Sequence, residues 1–179
     1  MAEGALLVGF IILQRLAELV LARRNTQRLL AEGGIEYGRA HYPVMVAMHA
    51  AWLAGLWWLG STRSVDPLLL GVFVLLQAGR IWAIASLGRR WTTRIIVLPG
   101  APLVAAGPYR WLKHPNYWIV ALEIAVVPLA LGLPLLAAVF TLLNAIILYQ
   151  RIRTENAALA QAAEPARVAQ TLANEGRSL

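Results

Sequence analysis

The 179-residue chain contains no cysteine, so disulfides, thiolate metal sites and cysteine nucleophiles are excluded and the redox compartment is left undetermined. Charge is scarce as well. Only 14% of residues are charged, against 59% hydrophobic, and the mean hydropathy is +0.62. A soluble domain of this length is far more polar. Acidic residues are fewer than basic ones, 9 against 16, for a net charge of +7. No aromatic-interleaved basic patch accompanies that excess, so nucleic acid is not the expected partner. No internal repeat is visible either, which argues against an inverted-repeat transporter. The N-terminus lacks a basic region and a small-residue cleavage site, and the first apolar run is therefore expected to stay as a span.

What is present is a set of apolar runs near or above the ~18 residues needed to cross a bilayer. The expected fold is all-α: one domain over 1–179, a polytopic integral membrane protein with five transmembrane helices at about 5–22, 43–59, 67–87, 117–131 and 135–150. Gly132-Leu133-Pro134 makes the last two a helical hairpin. A polar stretch of about 25 residues, Trp91 to Asn116, is long enough to expect a function. Within it, Thr92 to Val97 and Leu103 to Ala105 flank Pro99-Gly100, where a short hairpin is expected. The tail reads as a helix to about Ala163, polar and frayed beyond Pro165. Thirteen of the sixteen basic residues fall in the connections at 23–42 and 88–116 or in the tail, while the other side carries Arg63 alone. The positive-inside rule then puts the N-terminus outside and the C-terminus in the cytoplasm, with the plasma membrane as location.

Ionisable residues also interrupt the spans: Arg15 and Glu18 in the first, Arg80 in the third and Glu123 in the fourth. Burying such groups in hydrocarbon is costly, so they are expected to face a protein interior or a watery cavity. With His49, Gln77 and Asn144 they fall in the cytoplasmic half of their spans. One reading is a set of ion pairs that fix helix packing, with Arg80 snorkelling outward. The favoured one is a polar vestibule beneath the long loop.

The densest chemistry lies in Gly107-Pro-Tyr-Arg-Trp-Leu-Lys-His-Pro-Asn-Tyr117. Pro115 forces His114 out of helical geometry. Asn116 is the expected N-cap of the following span, placing His114 and Tyr117 at the positive end of a helix dipole, which suits a carboxylate or phosphate. Arg151 and Glu155, four apart, share one face of the helix leaving the fifth span, either as a surface pair or beside Asn116 at the same membrane surface.

Gly107-Pro108-Tyr109-Arg110, Lys113-His114-Pro115-Asn116-Tyr117, the helical hairpin and Arg151-Ile152-x-x-Glu155-x-x-x-Leu159 together resemble the isoprenylcysteine carboxyl methyltransferase family. Gln14-Arg15-x-x-Glu18 and Leu87 to Ile96 are similar to a bacterial branch acting on alkylpyrones and alkylresorcinols. The resemblance implies S-adenosylmethionine as cofactor, no metal, and a cofactor region at about 88–159. It implies cofactor contacts from His114, Pro115, Asn116, Tyr117, Gly107, Tyr109 and Glu155. Arg151 and Glu155 are the catalytic candidates, Arg151 orienting the cofactor carboxylate or the acceptor oxygen. Arg94, Arg80, Glu123, Glu18 and Arg15 are candidates for acceptor contact. Asn156 stands where the family carries a second glutamate, and Lys113 where it carries an arginine, which keeps the charge but loses a bidentate donor. The acceptor is expected to be lipophilic, an isoprenylcysteine carboxylate or an alkylated ring hydroxyl, reached from the bilayer. An NADPH-dependent membrane reductase of the sterol type shares the His-Pro-Asn-Tyr segment. A non-enzymatic scaffold or transporter is the third reading.

Overall fold

A computed structural model describes residues 3–175, with side chains described as far as 162. The described residues form five α-helices: α1 (Glu3–Ala31), α2 (Tyr42–Gly60), α3 (Pro67–Leu87), α4 (Pro115–Ala130) and α5 (Pro134–Glu175). A two-stranded antiparallel ribbon, β1 (Ile35–Tyr37) and β2 (Ile95–Val97), accompanies them. Among the described residues, four helical segments are long and apolar enough to cross a membrane: Glu3–Ala31, Arg39–Gly60, Pro67–Arg90 and Pro134–Ala162. The fourth helix is apolar but has 16 residues, about 24 Å of rise against a hydrocarbon core of ~30 Å. Its length is set by sequence at both ends. Pro115 occupies the first helical position, and the chain reverses at Gly132, whose φ of +65° favours glycine.

Leu6, Leu13, Trp58, Leu68, Leu75 and Leu135 point outward and are exposed, as lipid-facing side chains are. Val8, Ile11, Trp52, Leu56, Phe73, Ile124 and Val127 pack inward as one core contributed by α1 to α4. One end of the bundle is tied shut by backbone. Gly4 N–H donates to the Arg63 carbonyl (3.1 Å) and Asp66 N–H to that of Ala130 (2.8 Å). Arg63 Nη1 donates to the Gly132 carbonyl (3.0 Å). A Cβ on Gly4 would collide with the Gly60 carbonyl, so glycine is what allows α1 to come so close. Asp66, extended, caps α3 by accepting from Leu69 N–H at 2.9 Å, with Pro67 at the first helical position.

The other end carries the polar loops, and three local expectations change there. Ile95–Val97 does form a strand, but its partner is Ile35–Tyr37 rather than Leu103–Ala105 (Ile35 pairs with Val97, Glu36 with Ile96, Tyr37 with Ile95). This pairing lets Ile95 and Val97 bury against Ala158 of α5 and lets Arg94 Nη1 reach Glu36 Oε1 at 2.6 Å. The hairpin across Pro99-Gly100 offers neither. Asn116 is not the N-cap: His114 takes that place, because proline at the first helical position moves the boundary back by two. The last helix runs to Glu175, past Pro165 and beyond the end expected near Ala163. Residues 176–179 of the tail lie outside the described residues.

Candidate active site

The turn Gly107–Arg110 returns the long loop to the end of α3, where Gly107, at φ +54°, lies against Ser86 and Trp82 and leaves no room for a Cβ. Gly107 is therefore a close-packing residue that does not reach the cavity below, and Pro115 is likewise buried in the helix start. Tyr109, two residues on, does line that cavity. Burial, reinforced by the negative charge of Glu155, pushes its phenol up to about 12.

At the head of α4 the His114 and Tyr117 rings stack, 5.1 Å between centroids and 12° between planes. Tyr117 donates its hydroxyl hydrogen to Glu155 Oε2 and accepts from Arg151 Nε at 2.8 Å. The Arg151 guanidinium also lies over the Tyr117 ring, 5.4 Å from its centre, and Nη1 reaches Met45 Sδ at 3.5 Å. His114 Nδ1 is 3.7 Å from Glu155 Oε2, and its Nε2 is 3.3 Å from Asn156 Oδ1. Asn156 thus meets the histidine through an amide. The i, i+4 spacing of Arg151 and Glu155 aims both at one tyrosine of the neighbouring helix, which the short α4–α5 turn makes antiparallel and adjacent.

Two cavities meet at this cluster. The smaller, about 110 Å³, is bordered by the apolar Leu87, Ile95, Val97 and Leu159 and by the polar Arg90, Arg94, Tyr109, Lys113, His114 and Glu155. Arg90 and Lys113 are exposed, so it opens toward solvent at the loop end. The larger, about 320 Å³, lies among the spans between Ile12, Leu16, Leu53, Val120, Ile147 and Leu148. Trp91, Thr92, Asn116, Tyr117 and Arg151 border both.

Behind the larger cavity the embedded charges close into a neutral network of two arginines and two glutamates. Arg80 grips Glu18 through two bonds, Nε to Oε1 at 2.5 Å and Nη2 to Oε2 at 2.6 Å, and reaches Glu123 Oε2 through Nη1 at 2.9 Å. Arg15 bridges the same two carboxylates, at 3.1 Å to Glu18 and 2.5 Å to Glu123. Gln77 donates to Glu123 Oε1 at 2.6 Å and accepts from Gln14 at 2.6 Å. Arg80 is turned inward and buried, so it does not snorkel. Arg15, Glu18 and Arg80 border the larger cavity, whereas Glu123 is fully buried behind them. Arg94 belongs to the smaller cavity. The Glu36 carboxylate and the Tyr42 ring, 4.5 Å away, hold it in place, and its pKa is raised, first by the hydrogen bond it donates to Glu36.

Several contributors carry no motif in the sequence. Asn25, buried on α1, donates to the carbonyls of Trp91 (2.8 Å) and Gly88 (3.2 Å) and fixes the chain where it leaves α3. Glu36 anchors Arg94, and Tyr42, Met45 and His49 of α2 line the larger cavity. His49 gives one signal, a polar residue within an otherwise apolar helix, whereas Asn25, set among Arg23, Arg24, Thr26 and Gln27, gives none.

A family model described as Isoprenylcysteine carboxyl methyltransferase (ICMT) family matches residues 69–161, which include both cavity-lining segments of α4 and α5. A Bacillus subtilis (strain 168) protein, the uncharacterized YpbQ, is 40% identical over 167 residues, 86% of this chain and 95% of its own. An uncharacterized Haemophilus influenzae protein is 25% identical over 156 residues, 81% of this chain and 88% of its own. No solved structure matches. With Tyr117, Arg151 and Glu155 brought together inside the matched region, this integral membrane protein belongs to the isoprenylcysteine carboxyl methyltransferase family.

Proposed function

We propose that the protein is an S-adenosylmethionine-dependent O-methyltransferase that acts on a lipophilic acceptor at the cytoplasmic face of the membrane. The observation that carries this reading is the pair of cavities, one of mixed polar and apolar lining at the loop end, one mainly apolar and within the spans, sharing a wall at Asn116, Tyr117 and Arg151. A water-soluble methyl donor and a greasy acceptor need two such compartments with one point of contact. Methyl transfer is an in-line displacement that depends mainly on holding the two reactants in register.

The residues of the smaller cavity suit a zwitterionic nucleoside. Lys113, Arg94 and Arg151 provide cations for a carboxylate, Glu155 and Tyr109 provide polar partners for ribose or amine, and Leu87, Ile95, Val97 and Leu159 provide an apolar slot for a base. Asn116 Oδ1 is buried without a hydrogen-bond partner among the described residues, at the shared wall, an orphaned acceptor of the kind a bound ligand satisfies. When bound there, S-adenosylmethionine supplies an electrophilic methyl group. Arg151, held by Tyr117, orients the acceptor oxygen or the cofactor carboxylate, and the apolar wall excludes water from the point of transfer. Leu16, Leu19 and Val46 border the larger cavity yet are exposed, which favours acceptor entry sideways from the bilayer between α1 and α2. Arg15, Glu18 and Arg80 meet its head group from behind.

In this reading α4 also crosses the bilayer, beside α5, which brings the spans to five. The sealed end of the bundle faces outward, and both the site and the C-terminus face the cytoplasm of a bacterial plasma membrane, as the basic loops favour. The acceptor is an alkylated ring hydroxyl or a prenylated carboxylate. The test is transfer of a radiolabelled methyl group from S-adenosylmethionine to a panel of both acceptor types by purified protein in detergent. Label in a lipid-extractable product supports the proposal, and none with any acceptor refutes it.

A further inference from the structure

Oxygen methylation of a neutral hydroxyl needs a group to receive its proton, and most bases near the site are already engaged. Glu18 binds Arg80, Arg15 and Gln14 through its two oxygens. Glu123 is held by Arg15, Arg80 and Gln77. Glu155 accepts from Tyr117 on the far side of the shared wall. His49, on α2, differs. Its Nδ1 is 2.9 Å from the Met45 carbonyl, which can only accept, so Nδ1 carries the ring hydrogen and Nε2 keeps a bare lone pair. Nε2 has no hydrogen-bond partner among the described residues, and the ring borders the larger cavity. Met45, one helical turn away, also touches Arg151 through its sulfur. A single turn of α2 therefore links the imidazole to the wall where the cavities meet.

Resting on the function proposed above, we infer that His49 is the general base that deprotonates the hydroxyl of the lipophilic acceptor. The acceptor O–H bond breaks, its proton passing to Nε2 and its electron pair staying on oxygen. That oxygen forms the new O–CH₃ bond as the C–S bond of the donor breaks toward sulfur, and the imidazolium afterwards releases its proton to water. The tautomer set by Met45 is the one that can do this. Arg15 and Trp52 add buried donors on the same cavity, Nε and Nε1, without partners among the described residues and placed to meet oxygens of the acceptor head group. The charged groups around His49 are Arg15 and Glu18 of α1, Arg80 of α3, Glu123 of α4 and Arg151 of α5, and Tyr42 and Tyr117 are the neutral titratable neighbours.

Two probes test this, dodecylphenol and its dinitro-substituted analogue, a nitrophenol that is largely ionised in neutral water. In His49→Gln, transfer to dodecylphenol is expected to fall roughly 100-fold or more, with transfer to the nitrophenol reduced less than about threefold. The affinity for S-adenosylmethionine and the melting temperature stay at wild-type values. Without any methyl donor, the absorbance of bound nitrophenol reports its ionisation, and its apparent pKa is expected to rise in the variant. Equal losses with both phenols, no loss with dodecylphenol, or an unmoved nitrophenol titration each overturn the role of His49. Failure of the wild-type protein to bind S-adenosylmethionine is the separate result that removes the underlying function, and this proposal with it.

Discussion

Tyr117 is the residue through which the two helices of the site communicate: it donates to Glu155, accepts from Arg151 and stacks on His114. Hydrogen bonds to charged groups contribute about 1.5–3 kcal/mol, so Glu155→Ala and Arg151→Ala are each expected to weaken S-adenosylmethionine binding at least about tenfold in calorimetric titrations. Wild-type affinity in both variants would place the cofactor elsewhere. Tyr109 offers a pH test. Its folded pKa of about 12 lies above the ordinary value of about 10, so the protonated phenol stabilises the fold fully below about pH 10 and that contribution is lost as pH rises toward about 12. Tyr109→Phe is expected to flatten the alkaline fall in melting temperature across that window, and an unchanged profile would show that the phenol titrates normally. Residue types in the Gly107 to Tyr117 stretch and the Arg151–Glu155 spacing made most of this cluster legible in the sequence. The role of Gly107 was not, because its contact with Ser86 and Trp82 depends on how the loop folds back on α3.

Among the elements, the network of α1, α3 and α4 carries the largest energetic consequence. Removing one partner from a buried ion pair costs about 3–5 kcal/mol, because the remaining charge is left uncompensated. Arg80→Ala and Glu123→Ala are expected to lower the melting temperature in detergent sharply, and a change of only a degree or two would mean that water reaches these groups. Along the sequence, depth within the spans was enough to place these residues in one layer. It left ion pairs and an open vestibule as alternatives, and the pairs form as a neutral quartet whose closure depends on rotation about each helix axis, which neighbours set. The ribbon was half legible for a similar reason. Ile95–Val97 has strand character, but its partner lies some sixty residues away, chosen by the Arg94–Glu36 pair and by the apolar face of α5. The proposed sideways entrance is tested between α1 and α2. Val46→Trp is expected to raise KM for a long-chain acceptor about tenfold, ~1.4 kcal/mol, with the affinity for S-adenosylmethionine unchanged. Equal KM values would move the entrance.

At the scale of the whole molecule the bundle is sealed by backbone contacts at one end and open through two cavities at the other. The absence of cysteine makes its orientation easy to probe. Thr62→Cys in intact cells is expected to react with a membrane-impermeant maleimide, and Arg153→Cys only after the inner face is exposed. The reverse labelling would invert the topology. Composition alone identified a membrane protein and the distribution of arginines suggested its orientation, but the cavities arise from packing that no single segment encodes. The most direct measurement is a calorimetric titration of S-adenosylmethionine into the purified wild-type protein in detergent. Saturable binding to one site with micromolar affinity, about −8 kcal/mol, is the expected result, and no binding heat from protein shown to be folded would contradict the assignment of the smaller cavity.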